Sequence, residues 1–330
     1  MTGDGYQHRG GSGEPLVLIH PLAGTWRAWL PVIPALEAEH DVLAVGLAGH
    51  FECPPLPEGV AVGPKAIFDA VERDMDAAGF ATAHLVGGSI GGWAALELAR
   101  RGRARSVVVI APGGGWTRRG FLRLRVVSGL MRGMGRLMLP MAGPLLRPKL
   151  GRRLAFAAMM RHGERIPHDE AVGLLTAMVR CPIYAALLRG IAREGPPTSF
   201  AGVDCPVLFA WPRDDHLLPA AHYAPRLRAL IPAARWGWLD GCGHVPAYDD
   251  PRQVSTAILS FTARSARRTG EAGRGGTRSR SSARSADPMR PARSSALPSA
   301  PSTPTGGRAS LAGPSSPAAG RPSARSRDRL

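Results

Sequence analysis

Ala83-His-Leu-Val-Gly-Gly-Ser89-Ile-Gly-Gly-Trp93-Ala-Ala-Leu-Glu-Leu-Ala-Arg100 is the stretch whose reading decides the fold. Its first four residues form a short apolar run of strand type, and residues 93–100 have the composition of a good helix. Between them the chain turns through Gly87-Gly88-Ser89-Ile90-Gly91, a Gly-x-Ser-x-Gly pattern. A strand that enters a helix through such a turn holds the serine in a strained backbone conformation with its hydroxyl exposed above the sheet. The flanking positions must be small because strand and helix approach closely there. Gly88 and Gly92 also keep the turn free of bulk. A phosphate-binding turn is the competing reading, but the lysine of a P-loop is missing and the spacing is not G-x-G-x-x-G. Ser89 is therefore the candidate nucleophile.

Outward from this turn, strand-like and helix-like segments alternate. Residues 15–20, 40–46 and 106–110 are apolar runs of strand length. Trp26, Trp29, Ile33 and Leu36 recur at roughly helical spacing, and residues 64–80 are amphipathic, with Ile67, Val71 and Met75 on one face. The alternation stops at Trp116. Residues 116–200 read as helical throughout, rich in Met, Leu and Arg. It resumes with a strand at 206–211, a helix over about 223–230, a strand-like run at 234–239 and a last helix over 251–262. Apolar strands alternating with helices predict an α/β fold, a mostly parallel sheet covered by helices on both faces. The predicted organisation is a core of residues 1–115 and 201–265, an inserted helical cap over 116–200, and a tail over 266–330.

The charge follows the same division. The chain of 330 residues carries a formal charge of +17. The core segments hold 14 basic and 18 acidic side chains, the cap 15 and 4, and the tail 13 and 3. The charge argues against a nucleic-acid-binding protein, which stays as a third reading, because the excess positive charge lies in the insertion and the tail and no nucleic-acid motif accompanies it. After Phe261 there is no aromatic residue, and the Ser/Arg/Ala/Pro/Gly composition predicts a disordered extension. The four cysteines are scattered without metal-ligand or disulfide spacing, and no signal peptide is visible, so a cytoplasmic protein with reduced thiols is expected.

A serine hydroxyl is a weak nucleophile near neutral pH and needs a base, which in turn needs an orienting carboxylate. The acid should follow the strand at 206–211, where the sequence runs Trp211-Pro-Arg-Asp-Asp215-His-Leu-Leu-Pro219. Asp214 and Asp215 compete, and spacing to the closing Leu-Leu-Pro favours Asp215. The base should lie on a loop after the last strand, and His244, within Gly241-Cys-Gly-His244-Val-Pro246, is the histidine with that context. Acyl transfer also needs N–H donors for a developing oxyanion. Ile90, next after the nucleophile, supplies one. The loop His20-Pro21-Leu22-Ala-Gly24 should supply the other through Leu22, since Pro21 has no N–H. His20 reads as a buttress of that loop, and His216 as a surface residue.

Taken together, His20–Gly24, Leu47-Ala-Gly-His50, Val86–Trp93, Trp211–Pro219 and Gly241–Pro246 resemble the α/β-hydrolase superfamily, in its lidded, esterase-like branch with a Ser-Asp-His triad. The resemblance spans about residues 12–263. It implies a serine hydrolase that uses neither a metal nor an organic cofactor. Two departures stand out: His20-Pro21 replaces the family's usual His-Gly, and Gly46–Phe51 replaces its common Asp-x-x-Gly-His-Gly. The family's haloalkane dehalogenases and epoxide hydrolases carry Asp where this chain has Ser89, which argues against those activities.

The expected reaction is hydrolysis of a carboxylic ester through an acyl-enzyme, with thioesters, lactones or carbon–carbon bonds as alternatives. A receptor using the same pocket without catalysis is the competing class. Met-rich walls in the cap predict a small, hydrophobic ester-like substrate. The cap's first helix is expected to turn an apolar face inward and a solvated basic face outward. A sharper alternative is contact between the basic cap and tail and a membrane surface or other polyanion. No specific nucleic-acid partner is expected.

Overall fold

The computed structural model describes residues 5–272. The chain begins with a short strand β1 (His8–Gly10) and continues through β2 (Glu14–Ile19), α1 (Ile33–Glu37), β3 (His40–Val45), α2 (Pro64–Ala77), β4 (Ala83–Gly88), α3 (Ile90–Arg100) and β5 (Ala104–Ile110). Five helices follow: α4 (Arg118–Met138), α5 (Ala142–Leu146), α6 (Lys149–Phe156), α7 (His168–Arg180) and α8 (Tyr184–Glu194). The chain then returns through β6 (Val207–Pro212), α9 (Ala220–Leu230), β7 (Arg235–Leu239) and α10 (Pro251–Ala272). No strand interrupts residues 116–200.

The seven strands form one sheet in the order β1-β3-β2-β4-β5-β6-β7. Every neighbouring pair is parallel except β1 with β3. Both faces are covered, as the unbroken apolar strands require. Alternate residues of β2 show it: Val17 and Ile19 join Ile67, Val71, Ala94 and Leu98 on one face, while Leu16 and Leu18 join Ile33, Leu36, Ile258 and Phe261 on the other. β4 is the middle strand, so the turn that leaves its C-terminal end opens at the centre of the sheet's carboxyl edge. Ligands of open α/β sheets bind along that edge.

The structure adjusts three expectations. β1 was not predicted: three residues without apolar alternation give no strand signal, and pairing with β3 alone makes the strand. The segment from Trp26 to Leu36 is not one helix but a 3-10 turn at Trp26–Trp29 followed by α1, with Pro34 in its first turn. The last helix runs through Ala272, ten residues past its predicted end and seven into the segment read as disordered. The remainder of that tail lies outside the described residues.

The helices over 118–194 have a small core of their own, with Leu146, Phe156, Met160, Ile166 and Leu175 buried together with Val245 and Tyr248 from the loop beyond β7. They belong to the same compact unit as the sheet. Thr117 starts α4, its hydroxyl accepting the Gly120 N–H at 3.1 Å. Arg123 fixes α4 to the loop after β6 by donating to the carbonyls of His216 and Leu217 at 2.7 and 3.1 Å.

Candidate active site

Ser89 stands between β4 and α3 with φ 54° and ψ −118°, a left-handed conformation disfavoured for a residue with a side chain. The surroundings over-determine it. Its N–H donates to Ile110 O at 3.0 Å, and its carbonyl accepts from Gly92, Trp93 and Gly113 at 3.1, 3.2 and 2.7 Å. The glycines on either side show why the pattern is required. A Cβ on Gly87 would lie 2.1 Å from Gly91 O, one on Gly91 2.2 Å from Ile19 O, and one on Gly92 2.8 Å from Pro112 Cβ. Gly88 differs: its nearest neighbour would be Pro21 Cγ at 3.4 Å, an ordinary contact. Gly91→Ala is therefore expected to lose more than about 3 kcal/mol of stability or fail to fold. Gly88→Ala should stay within about 1 kcal/mol of the parent. Urea unfolding of the two variants checks the contrast, and equal losses would contradict it.

The loop after β2 approaches the same point. His20 is buried at its start, with Nδ1 2.8 Å from the Pro21 carbonyl and Nε2 3.0 Å from the Leu47 N–H. The ring must therefore donate from Nδ1 and accept at Nε2, which fixes a neutral tautomer. It buttresses the loop, as the sequence reading expects. Ala23 takes φ 58°, and Gly24 N–H closes the turn on Pro21 O at 3.0 Å. Among the described residues the Leu22 N–H has no backbone acceptor, and the Ile90 N–H, first in α3, has no carbonyl within its helix to reach.

His50 packs edge-on to His20, ring centres 5.2 Å apart, and both are buried. Burial pushes His20 down to about 3 and His50 to about 4, and a charged His50 ring would disfavour the charged form of His20 further. In the unfolded chain both regain ordinary basicity near 6.5 and take up protons that the folded chain refuses. The stability they contribute is thus complete above about pH 6.5 and is lost as the pH falls toward 4. Asp74, raised to about 6 by burial, works in the opposite sense but is displaced less than either ring. Between about pH 7 and about pH 5 the unfolding free energy should fall by roughly 2 kcal/mol net. Urea midpoints across that range check this, and a flat or rising profile would contradict it.

The base and acid candidates come from the loops after β7 and β6. His244 Nδ1 lies 2.8 Å from Asp215 Oδ2, and both side chains are almost fully buried. Asp215 Oδ1 accepts the N–H groups of Leu217 and Leu218 at 2.9 and 2.7 Å. One carboxylate is thereby held by its own turn and aimed by its second oxygen at the imidazole. Asp214 is half-buried, and its N–H donates to Cys242 O at 3.1 Å. It does not reach His244, so the pairing falls to Asp215. His216 is exposed.

Asp249 was missed by the sequence reading. Fully buried, its carboxylate accepts the N–H groups of Gly243, Arg161 and His162 at 2.7, 3.0 and 2.6 Å. Arg165 donates to its carbonyl, and Val245 N–H donates to Met159 O at 3.0 Å. The loop bearing His244 is thus sewn to the segment between α6 and α7. A Cβ on Gly243 would lie 2.8 Å from Met159 O, which is why that position is bare. Nothing in Tyr-Asp-Asp-Pro signals this, because the partners are backbone groups from a distant segment.

Ser89, Ile90, Leu22 and His244 line one cavity, and Asp215 stands behind His244. The rest of the wall is mostly apolar, with Trp116, Phe121, Leu124, Met131, Met178 and Leu188 among its members. Ser128 and Tyr184 also face it, but Tyr184 OH donates to Ser128 Oγ at 2.7 Å and Ser128 donates to Leu124 O. Their polarity is largely spent on each other.

A family model described as the alpha/beta hydrolase family matches residues 16–257. The chain belongs to the alpha/beta hydrolase family. Among its relatives is the epoxide hydrolase EphH of Mycobacterium tuberculosis, 34% identical over 198 residues, covering 58% of this chain and 92% of that protein. Solved structures of the same fold include a thermophilic esterase from Thermogutta terrifontis, with a TM-score of 0.61, 21% identity, and coverage of 78% of this chain and 93% of the esterase. The enol-lactonase of Burkholderia xenovorans LB400 gives a TM-score of 0.61 at 18% identity, covering 78% of this chain and 95% of that structure. At such identities the structures share the hydrolase fold with this chain, and chemistry has to be argued from its own residues.

Proposed function

We propose that this alpha/beta hydrolase is a serine esterase acting on a carboxylic ester, or a related acyl compound, with a substantial hydrophobic part. One observation carries the reading: Ser89 on its strained turn, Ile90, Leu22 and a histidine paired with Asp215 line a single, mostly apolar cavity. Ser89 Oγ attacks the carbonyl carbon while His244 Nε2 takes the hydroxyl proton. Negative charge moves to the carbonyl oxygen, where Ile90 and Leu22 donate to it. The carbon–oxygen bond to the alcohol then breaks, and His244 returns the proton to the leaving oxygen. Water repeats the attack on the acyl-serine with His244 as base, releasing the acid and restoring Ser89. Asp215 keeps Nδ1 protonated, so that Nε2 is free to accept. No metal or organic cofactor enters these steps.

EphH's name raises epoxide opening as a second chemistry. Ser89 argues against it. A serine oxygen that opened an epoxide would form an ether, which has no carbonyl for water to attack, and turnover would stop after one event. The acyl route leaves an ester that water can cleave.

A series of p-nitrophenyl esters of increasing acyl length tests the proposal, with Ser89→Ala as control and styrene oxide as a competing substrate. Rates should rise from acetate toward longer chains as the apolar wall is filled. No turnover at any length, or diol formation from the epoxide that persists in Ser89→Ala, would overturn the reading.

A further inference from the structure

Helix α4 is apolar on two opposite faces. Phe121, Leu124 and Met131 look into the cavity. Leu122, Val126, Leu130, Met134 and Leu137 lie on the other side of the helix and are open to solvent, Leu130 at 67% and Leu137 at 83% exposure. Only half of the expected pattern is therefore present: the inner face is apolar, but the outer one is not simply a solvated basic face. The exposure continues beyond α4 through Met141, Leu145, Leu150 and Leu154. Of eleven exposed large hydrophobics among the described residues, nine fall between Leu122 and Leu154. On α4 these side chains recur every three or four residues and so form one apolar stripe, and a solvent-facing stripe of this kind marks a contact with something other than water.

The charge around it identifies the partner. From Trp116 to Gly163 there are eleven Arg and Lys residues and no Asp or Glu. Arg123 and Arg132 are occupied with backbone carbonyls, and Arg152 is buried. The other eight basic side chains, among them Arg118, Arg119, Arg125 and Arg136 on α4, remain exposed. A second copy of the chain is a poor occupant, because a two-fold contact would press two wholly cationic surfaces together. An interfacial helix needs this combination: large apolar side chains to enter the headgroup region and long cationic ones to reach anionic headgroups. No single helix among the described residues is long and apolar enough to cross a membrane.

We infer that the outer face of α4, continued by Met141, Leu145, Leu150 and Leu154, docks on an anionic lipid bilayer, with the helix lying in the plane of the surface. The inference does not depend on the esterase chemistry. It places the roof of the cavity, which α4 also forms, against the lipid.

Sedimentation of the full chain with phosphatidylglycerol-containing vesicles and with pure phosphatidylcholine vesicles tests it. The full chain should sediment with the anionic vesicles at low ionic strength, several-fold less when salt is raised, and not with the neutral ones. Leu130→Asp with Leu137→Asp, both outside the cavity wall, should weaken binding by at least about tenfold while leaving thermal unfolding unchanged. Three results would overturn the inference. They are a full chain that stays in the supernatant, a double variant that binds as well as the parent (binding through the basic tail instead), and a lipid-free dimer that the double variant dissolves. Because no step requires turnover, an inactive protein would leave this result readable.

Discussion

Ser89→Ala is expected to lower kcat by about 10⁴- to 10⁶-fold while KM and thermal stability change little. The alanine keeps the Cβ, so the cost of holding φ 54° is the same in both proteins. The hydrogen bonds that fix the turn run from the backbone N–H and carbonyl of residue 89 and survive the change. The cavity wall, and with it the apolar contribution to substrate binding, is intact. What disappears is the oxygen that forms the acyl bond. The residual rate would come from the Leu22 and Ile90 donors and from positioning, which act on water's attack far more weakly than a covalent route does. A fall of less than about tenfold would mean that another group attacks the substrate. Steady-state kinetics on the best p-nitrophenyl ester, with a thermal melt on the same samples, gives both halves of the prediction.

Asp215→Asn should cost about 10⁴-fold in kcat, with Asp214→Asn within about twofold of the parent. Asp215 accepts three N–H bonds, two at Oδ1 from Leu217 and Leu218 and one at Oδ2 from His244. In the asparagine variant the amide oxygen stays with the two backbone donors, and the NH₂ group faces His244 Nδ1. That nitrogen must then become an acceptor, which moves the ring proton to Nε2 and removes the base that Ser89 needs. The fold barely notices, because the shape and the two turn-fixing bonds persist. Asp214 makes no such contact with His244. Parallel kinetics on the two neighbouring variants decides between them, and the reverse ranking would sink the assignment of Asp215.

Much of this was readable from the chain because the constraints are steric and local. Gly87, Gly91 and Gly92 are glycine since a methyl at each would strike backbone or proline atoms, so the turn announces itself in sequence. The strands were legible because both faces of the sheet are buried, which forces runs such as Leu16-Val-Leu-Ile19. The order of Ser89, Asp215 and His244 along the chain also pointed to loops that the structure brings to one place. Other features depend on contacts that sequence does not encode locally. β1 is a strand only because β3 offers an edge. α10 overshoots its predicted end because Ala, Arg and Glu extend a helix already nucleated, even where composition could not start one. The outer leucines of α4 share their helix with the inner ones, and without a partner surface in view the apolar residues all seemed to belong inside. Asp249 is found only when Gly243, Arg161 and His162 are seen around it.

The central claim is that Ser89 forms a covalent acyl bond, and a fluorophosphonate probe tests it most directly. Intact-mass analysis of the folded full chain after exposure to the probe should show one adduct, mapped to Ser89 by peptide sequencing. The adduct should be absent from Ser89→Ala and strongly slowed in Asp215→Asn. A folded wild-type chain that takes no label, or takes it at another residue, would contradict the account and leave the cavity as a binding pocket without covalent catalysis.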